Sequence, residues 1–230
     1  MAENVISMDK KQTKEEKNLE SFVNKNKKGI VICSSFVAVC IVAVCVAAGV
    51  IDSNVKKALS AVETIEYKYT KDSSDLSDEE IAARKSEALN SLADYTAKNN
   101  VAGVRANMLA ADIYFSNEDW ENAKASYIAA ASKGKKAYTA SLSYFNAGVC
   151  CEKLSDLAGA SENYKAACDD KYFVLRSHAL FSQARVLELL EKFDEAKTVY
   201  QTLVDSYSGD SWASLAQSRL IDLKINGKIE

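Results

Sequence analysis

Trp120-Glu121-Asn122-Ala123-Lys124-Ala125-Ser126-Tyr127-Ile128-Ala129-Ala130 returns in pattern as Leu157-Ala158-Gly159-Ala160-Ser161-Glu162-Asn163-Tyr164-Lys165-Ala166-Ala167, and again as Phe193-Asp194-Glu195-Ala196-Lys197-Thr198-Val199-Tyr200-Gln201-Thr202-Leu203. Each copy opens on a bulky apolar residue, has Ala three positions on, Tyr four further, and a small or apolar residue three beyond that. Offsets of three and four place all four residues on one face of an α-helix. The alanines Ala123, Ala160 and Ala196 are 37 and 36 residues apart, so the chain carries a repeated unit longer than one helix.

Counting back from each of these alanines reaches a second small position, occupied by Ala111, Gly148 and Ala184, followed by the larger Tyr114, Cys151 and Leu187. Small residues facing small residues let two antiparallel helices approach closely over a short connector. The pattern resembles the tetratricopeptide repeat (TPR), in which such pairs stack into a solenoid. It runs from about Val104 to Ser206, with repeats expected at about 104–137, 141–174 and 177–208; the family's usual proline is absent and the spacing exceeds the family's. The alternative is an irregular helical bundle with Ala-rich faces. The chain has no proline and 8 glycines in 230 residues, and no stretch alternates apolar and polar residues long enough to make a strand. The expected fold is all-α: a single N-terminal transmembrane helix followed by a TPR-like α-solenoid of antiparallel helix pairs.

The flanks extend the stack. Toward the C-terminus, Gly209 is expected to stop a helix and Ser211 to cap the next, whose apolar face is Trp212, Leu215, Ala216, Leu220 and Leu223. This capping helix, 210–225, would shield the open end of the solenoid. Toward the N-terminus, Ser77 and Glu80 have capping-box spacing ahead of a helix through Ile81, Ala88, Leu92 and Tyr95. Ala88, 35 residues before Ala123, marks a degenerate first repeat. Lys71 to Asp78 reads as a polar linker, and Val55, Leu59, Val62, Ile65 and Tyr69 form an apolar helical stripe before it.

Upstream of that stripe, Gly29 to Ile51 holds no Asp, Glu, Lys, Arg, Asn, Gln or Pro. As a helix it would be about 34 Å long, enough to cross the hydrocarbon core of a bilayer. It is longer than the apolar centre of a secretory signal and begins later, so an uncleaved anchor is favoured over a cleaved one. A lipoprotein reading fares worse, because Cys40 and Cys45 each follow Val. The lysines that precede the span, with Lys25, Lys27 and Lys28 closest, argue for a cytoplasmic N-terminus. The expected layout is thus a cytoplasmic segment 1–28, largely disordered until bound, a transmembrane helix 29–51, and an extracytoplasmic domain 52–230 in the periplasm. Residues 1–28 carry +2 and the span none, which leaves −5 of the net charge of −3 for that domain. A mildly acidic domain is a poor nucleic-acid surface.

With the layout in hand, a second resemblance emerges at the closing helix, Arg219-Leu220-Ile221-Asp222-Leu223-Lys224-Ile225-Asn226. A short Lys-rich start, one span, about three TPR-like pairs and this ending resemble the YfgM-type ancillary subunit of the bacterial SecYEG translocon. The resemblance implies an inner-membrane protein-binding scaffold whose partners are the SecYEG translocon and the PpiD-type membrane-anchored chaperone, at work on secreted proteins as they emerge. The longer N-terminus, the polar linker and the cysteines of the span depart from that family. A periplasmic TPR scaffold for envelope assembly or cell division shares the repeats and is the alternative.

Catalytic chemistry finds little to stand on. His178 is the single histidine, so every Ser-His or Cys-His pair would have to share it. No Gly-rich phosphate loop and no metal-spaced Cys/His set occurs, and neither an enzyme, a cofactor, a metal nor a small-molecule substrate is expected. The candidate site is instead the concave surface of the first helices. In the TPR register it carries Arg105, Met108, Asp112 and Phe115, then Phe145, Asn146 and Val149, then His178, Phe181 and Arg185. Met108 and Asp112 stand where carboxylate-clamping TPRs use Lys and Asn, so an apolar or helical partner segment is the better expectation. Phe115, Phe145 and Phe181 could equally be core. Of the six cysteines, Cys33, Cys40 and Cys45 lie in the span; Cys151 and Cys168 could pair or, like Cys150, stay reduced and buried.

Overall fold

The computed structural model describes residues 2–72, 76–135 and 137–230, with side chains described from Leu19 onward. Residues 73–75 of the expected linker lie outside the described residues. The rest is helical: α1 (Ala2–Thr70), α2 (Asp78–Thr96), α3 (Val101–Ser116), α4 (Trp120–Lys133), α5 (Tyr138–Lys153), α6 (Leu157–Ala167), α7 (Arg176–Leu189), α8 (Phe193–Ser206) and α9 (Ser211–Ile225), with no strand among the described residues. Two compact units result, Met1–Asn54 and Val55–Glu230.

The first unit is the N-terminal part of α1. Its backbone is helical from Ala2, where a largely disordered start was expected; no Gly or Pro breaks the sequence before Gly29. Phe36, Ile41, Val46 and Ile51 each expose more than half of their surface. Among the described residues this is the one helix long and apolar enough to cross a membrane. By length and composition this stretch can serve as a membrane span or a signal anchor.

The second unit is the solenoid. The end of α1 and α2 form the degenerate opening pair: Val62, buried completely, packs with Ala88 and Leu92, flanked by Ile65 and Tyr69 of the expected stripe. The capping box at Ser77 and Glu80 is formed, and Arg84 ties the pair by donating to the carbonyls of Lys68 and Lys71. Then come the pairs α3–α4, α5–α6 and α7–α8, and α9 closes the stack. The first helices begin at Val101, Tyr138 and Arg176, up to three residues ahead of the 104, 141 and 177 expected. Asp210, not Ser211, caps α9: its carboxylate lies two residues upstream of the Trp212 amide, which donates to it at 2.8 Å.

Ala111, Ala123, Ala147, Ala160, Ala184 and Ala196 have no exposed surface, which is what lets the paired helices meet at close range. Gly148 goes further: a Cβ there would sit 2.8 Å from ring carbons of Tyr164. The core continues without a break from the second pair through α9, around Tyr164, Leu180, Tyr200, Leu203 and Leu223.

Each pair turns on a left-handed residue that is not glycine: Glu118, Ser155 and Glu191, all at φ 59°. They recur at repeat spacing, 37 and 36 residues apart, so the repeat is a backbone period as well as an apolar one. A side chain in this region costs about 1–2 kcal/mol, while glycine adds unfolded-state entropy of about 0.4–1 kcal/mol. Glu118→Gly, Ser155→Gly and Glu191→Gly are therefore each expected to stabilise the domain by about 0.5 kcal/mol. Thermal melts followed by circular dichroism check this, and a triple variant that melts below the parent contradicts it.

Candidate functional site

The repeat tyrosines of the second helices, buried to within 3% of their surface, organise the surface of the first helices. The Tyr127 hydroxyl donates to Asp112 at 2.5 Å, Tyr164 to Glu152 at 2.6 Å and Tyr200 to Glu188 at 2.5 Å. Burial first, and then the carboxylate beside it, push each phenol above its usual range, so each stays a protonated donor. In the last two cases an arginine from the next element of the stack, α7 or the closing α9, completes a rung. Arg185 of α7 donates to both oxygens of Glu152, at 2.7 and 2.6 Å, and Arg219 of α9 does the same to Glu188. Each of these two rungs thus ties a pair to the next element of the stack through charge-assisted hydrogen bonds.

These acids were not read from the sequence. Glu152 and Glu188 each precede their tyrosine by 12 residues, and their arginines follow by 33 and 31. That interval was the available signal. The first pair breaks it, because Asp112 lies 15 residues before Tyr127, one turn earlier on its helix.

The ten residues expected on the concave surface divide by burial. Arg105 is half-buried and forks onto Glu66 of α1 at 2.8 and 2.6 Å, and Arg185 is half-buried in its rung. Asp112 is exposed and Asn146 half-buried. Phe115 is half-buried edge-on against Trp120, with centroids 4.9 Å apart. Val149 packs at the rim of the core. Met108 and Phe145 are the two buried members of the set, at 8% exposure each. Met108 is covered by Val104 and Ala130, and Phe145 by Tyr164 and by Phe173, which returns from the α6–α7 connection.

At the C-terminal end the rings form a continuous row. His178 stacks on Trp212, with centroids 4.0 Å apart and planes 6° apart, and packs on Phe145 at 4.9 Å; Phe181 lies 5.2 Å from Trp212. Burial, reinforced by Arg185, holds His178 below its usual pKa, against the pull of Glu152. The imidazole is a neutral ring of an aromatic row. No cluster of His, Cys, Asp and Glu able to hold a metal occurs among the described residues.

At the N-terminal end of the same surface is a groove of about 700 Å³, between the end of α1, the start of α3 and the α4–α5 connection. Leu59, Val101, Val104 and Met108 make it apolar, and Arg105 borders it. Elsewhere in the second pair, Cys150, Cys151 and Cys168 are buried and free, so the Cys151–Cys168 bond left open above is not formed. The Cys151 sulfur accepts from Asn163, while that of Cys168 faces the Arg176 carbonyl. Burial pushes their thiols up to about 12, 11 and 12 respectively, well into the protonated range.

No protein-family model matches the chain. A TPR repeat-containing protein of Treponema pallidum (strain Nichols) is similar to it, 31% identical over 139 residues, which are 60% of this chain and 58% of that protein. The chain therefore spans less than two thirds of the length of the relative it matches. The solenoid is TPR-like. Repeats of this kind mediate protein–protein interactions through the extended surface that their stacking creates.

Proposed function

We propose that the chain is a membrane-anchored protein–protein interaction scaffold, held by residues 29–51 with its N-terminus in the cytoplasm and its TPR-like domain in the periplasm. In this reading it serves as an ancillary subunit of the SecYEG translocon that helps recruit a PpiD-type membrane-anchored chaperone to secreted proteins. The observation that carries the scaffold is the open row of first helices. On it Arg105, Asp112, Asn146, His178, Phe181 and Arg185 are all at least partly exposed, over a base that includes Met108 and Phe145. The fixed rungs between pairs hold that surface in one shape, and preorganisation lowers the entropic cost of binding. The translocon assignment is supported by the ending Arg219 to Asn226 and the single apolar helix.

A photo-crosslinking amino acid placed at Phe181 of the full-length protein in intact cells tests this, with the far-exposed Tyr172 as the control position. The expected result is adducts with translocon or chaperone components from Phe181 and not from Tyr172. Absence of such adducts, or digestion of the domain only after the inner membrane is opened, would remove the assignment.

A further inference from the structure

The groove at the head of the solenoid has two properties that act together. Its floor is apolar, with Val104 and Met108 at 7% and 8% exposure, yet Val101 at its mouth is 53% exposed. Its rim carries Lys133, the last residue of α4, and Lys135 just beyond it, across from Glu63 of α1: Lys133 donates to the neutral Asn99 at 3.0 Å, and neither lysine forms an ion pair among the described residues. Arg105, by contrast, is committed to Glu66. The groove thus offers an apolar floor, unpaired positive charge at the α4 end and a single carboxylate, Glu63, on the α1 wall.

We infer that this groove takes an extended segment of another protein, with a bulky aliphatic side chain on the floor and an Asp or Glu against Lys133 and Lys135. The rim charges select an acidic neighbour, and at an exposed rim they act mainly on specificity and salt dependence. The chain's own C-terminus is not the occupant, since Ile229 packs on the core of the last pairs and the Glu230 carbonyl accepts from Lys197. The inference rests on the scaffold reading and specifies its partner.

The test uses the full-length protein in lipid nanodiscs and an octapeptide library with Leu fixed and the following positions varied. Asp and Glu are expected to be enriched over Lys about ten-fold near the Leu, with the preference lost at high salt. Lys135→Glu is expected to reverse the preference, and Val101→Glu to abolish binding while the melting curve is kept. Equal recovery of acidic and basic peptides, no recovery of any peptide, or binding that ignores a folded Lys135→Glu variant overturns the inference. So does a self-associated species in sedimentation that Val101→Glu dissolves, because a second copy then fills the groove. Should Phe181 crosslink a partner in cells while the library gives no preference, the groove inference falls and the scaffold stands.

Discussion

Gly103→Ala is expected to lower the stability of the domain by about 3 kcal/mol, although alanine is ordinarily the better helix residue by about 1 kcal/mol. A Cβ at Gly103 would fall 1.8 Å from the carbonyl oxygen of Lys98 and 2.7 Å from its carbonyl carbon. Those are backbone atoms of the turn between α2 and α3, and the turn is pinned. Asn100 accepts from the amides of Ala102 and Gly103, and the Asn107 amide donates to the carbonyls of Thr96 and Gly103 at 2.8 and 2.7 Å. Relief must come from shifting α3, and with it Ala106, Leu109 and Ile113 in the core of the opening pair. Urea unfolding should show a lower midpoint at unchanged slope. A midpoint equal to or above the parent's would mean that Lys98 yields freely.

Glu188→Ala is expected to cost a further-reaching ~3 kcal/mol, because it strips two partners at once. The Tyr200 side chain is fully buried and its hydroxyl has Glu188 as acceptor; Arg219 forks onto the same carboxylate. The Glu188 side chain is 9% exposed, whereas that of Arg219 is 44% exposed. Solvent therefore screens the ion pair, and most of the loss comes from the orphaned phenol and the space left beside it. Glu188→Gln keeps an acceptor and nearly all of the volume, and should cost only about 1 kcal/mol. Arg219→Ala combined with Glu188→Ala should cost less than the sum of the two single changes by about 1 kcal/mol. Equal effects of Ala and Gln at this position would assign the loss to charge alone and contradict the account.

What the chain displays openly is whatever depends on near neighbours. Ala123, Ala160 and Ala196 fix the helix pairs because a small side chain has only one use at a close crossing, and Ser77 with Glu80 marks a helix start by chemistry internal to four residues. The stripe from Val55 to Tyr69 is legible for the same reason. The rungs are hidden because an acid on a first helix is an ordinary surface residue until the next pair delivers its arginine. Their period is also broken at Asp112. Phe145 becomes core only when Phe173 swings back from the α6–α7 connection, and no residue near Phe145 announces that. The turns at Glu118, Ser155 and Glu191 carry no common side chain, so a backbone period three copies deep leaves no letter in common.

The burial of Cys150, Cys151 and Cys168 has a practical consequence. All three belong to the second pair and its exit, and no other cysteine lies in the solenoid. A maleimide that cannot cross membranes reacts only with a thiolate in solvent, so its labelling rate clocks the breathing of the central pair alone, against a background silent elsewhere in the stack.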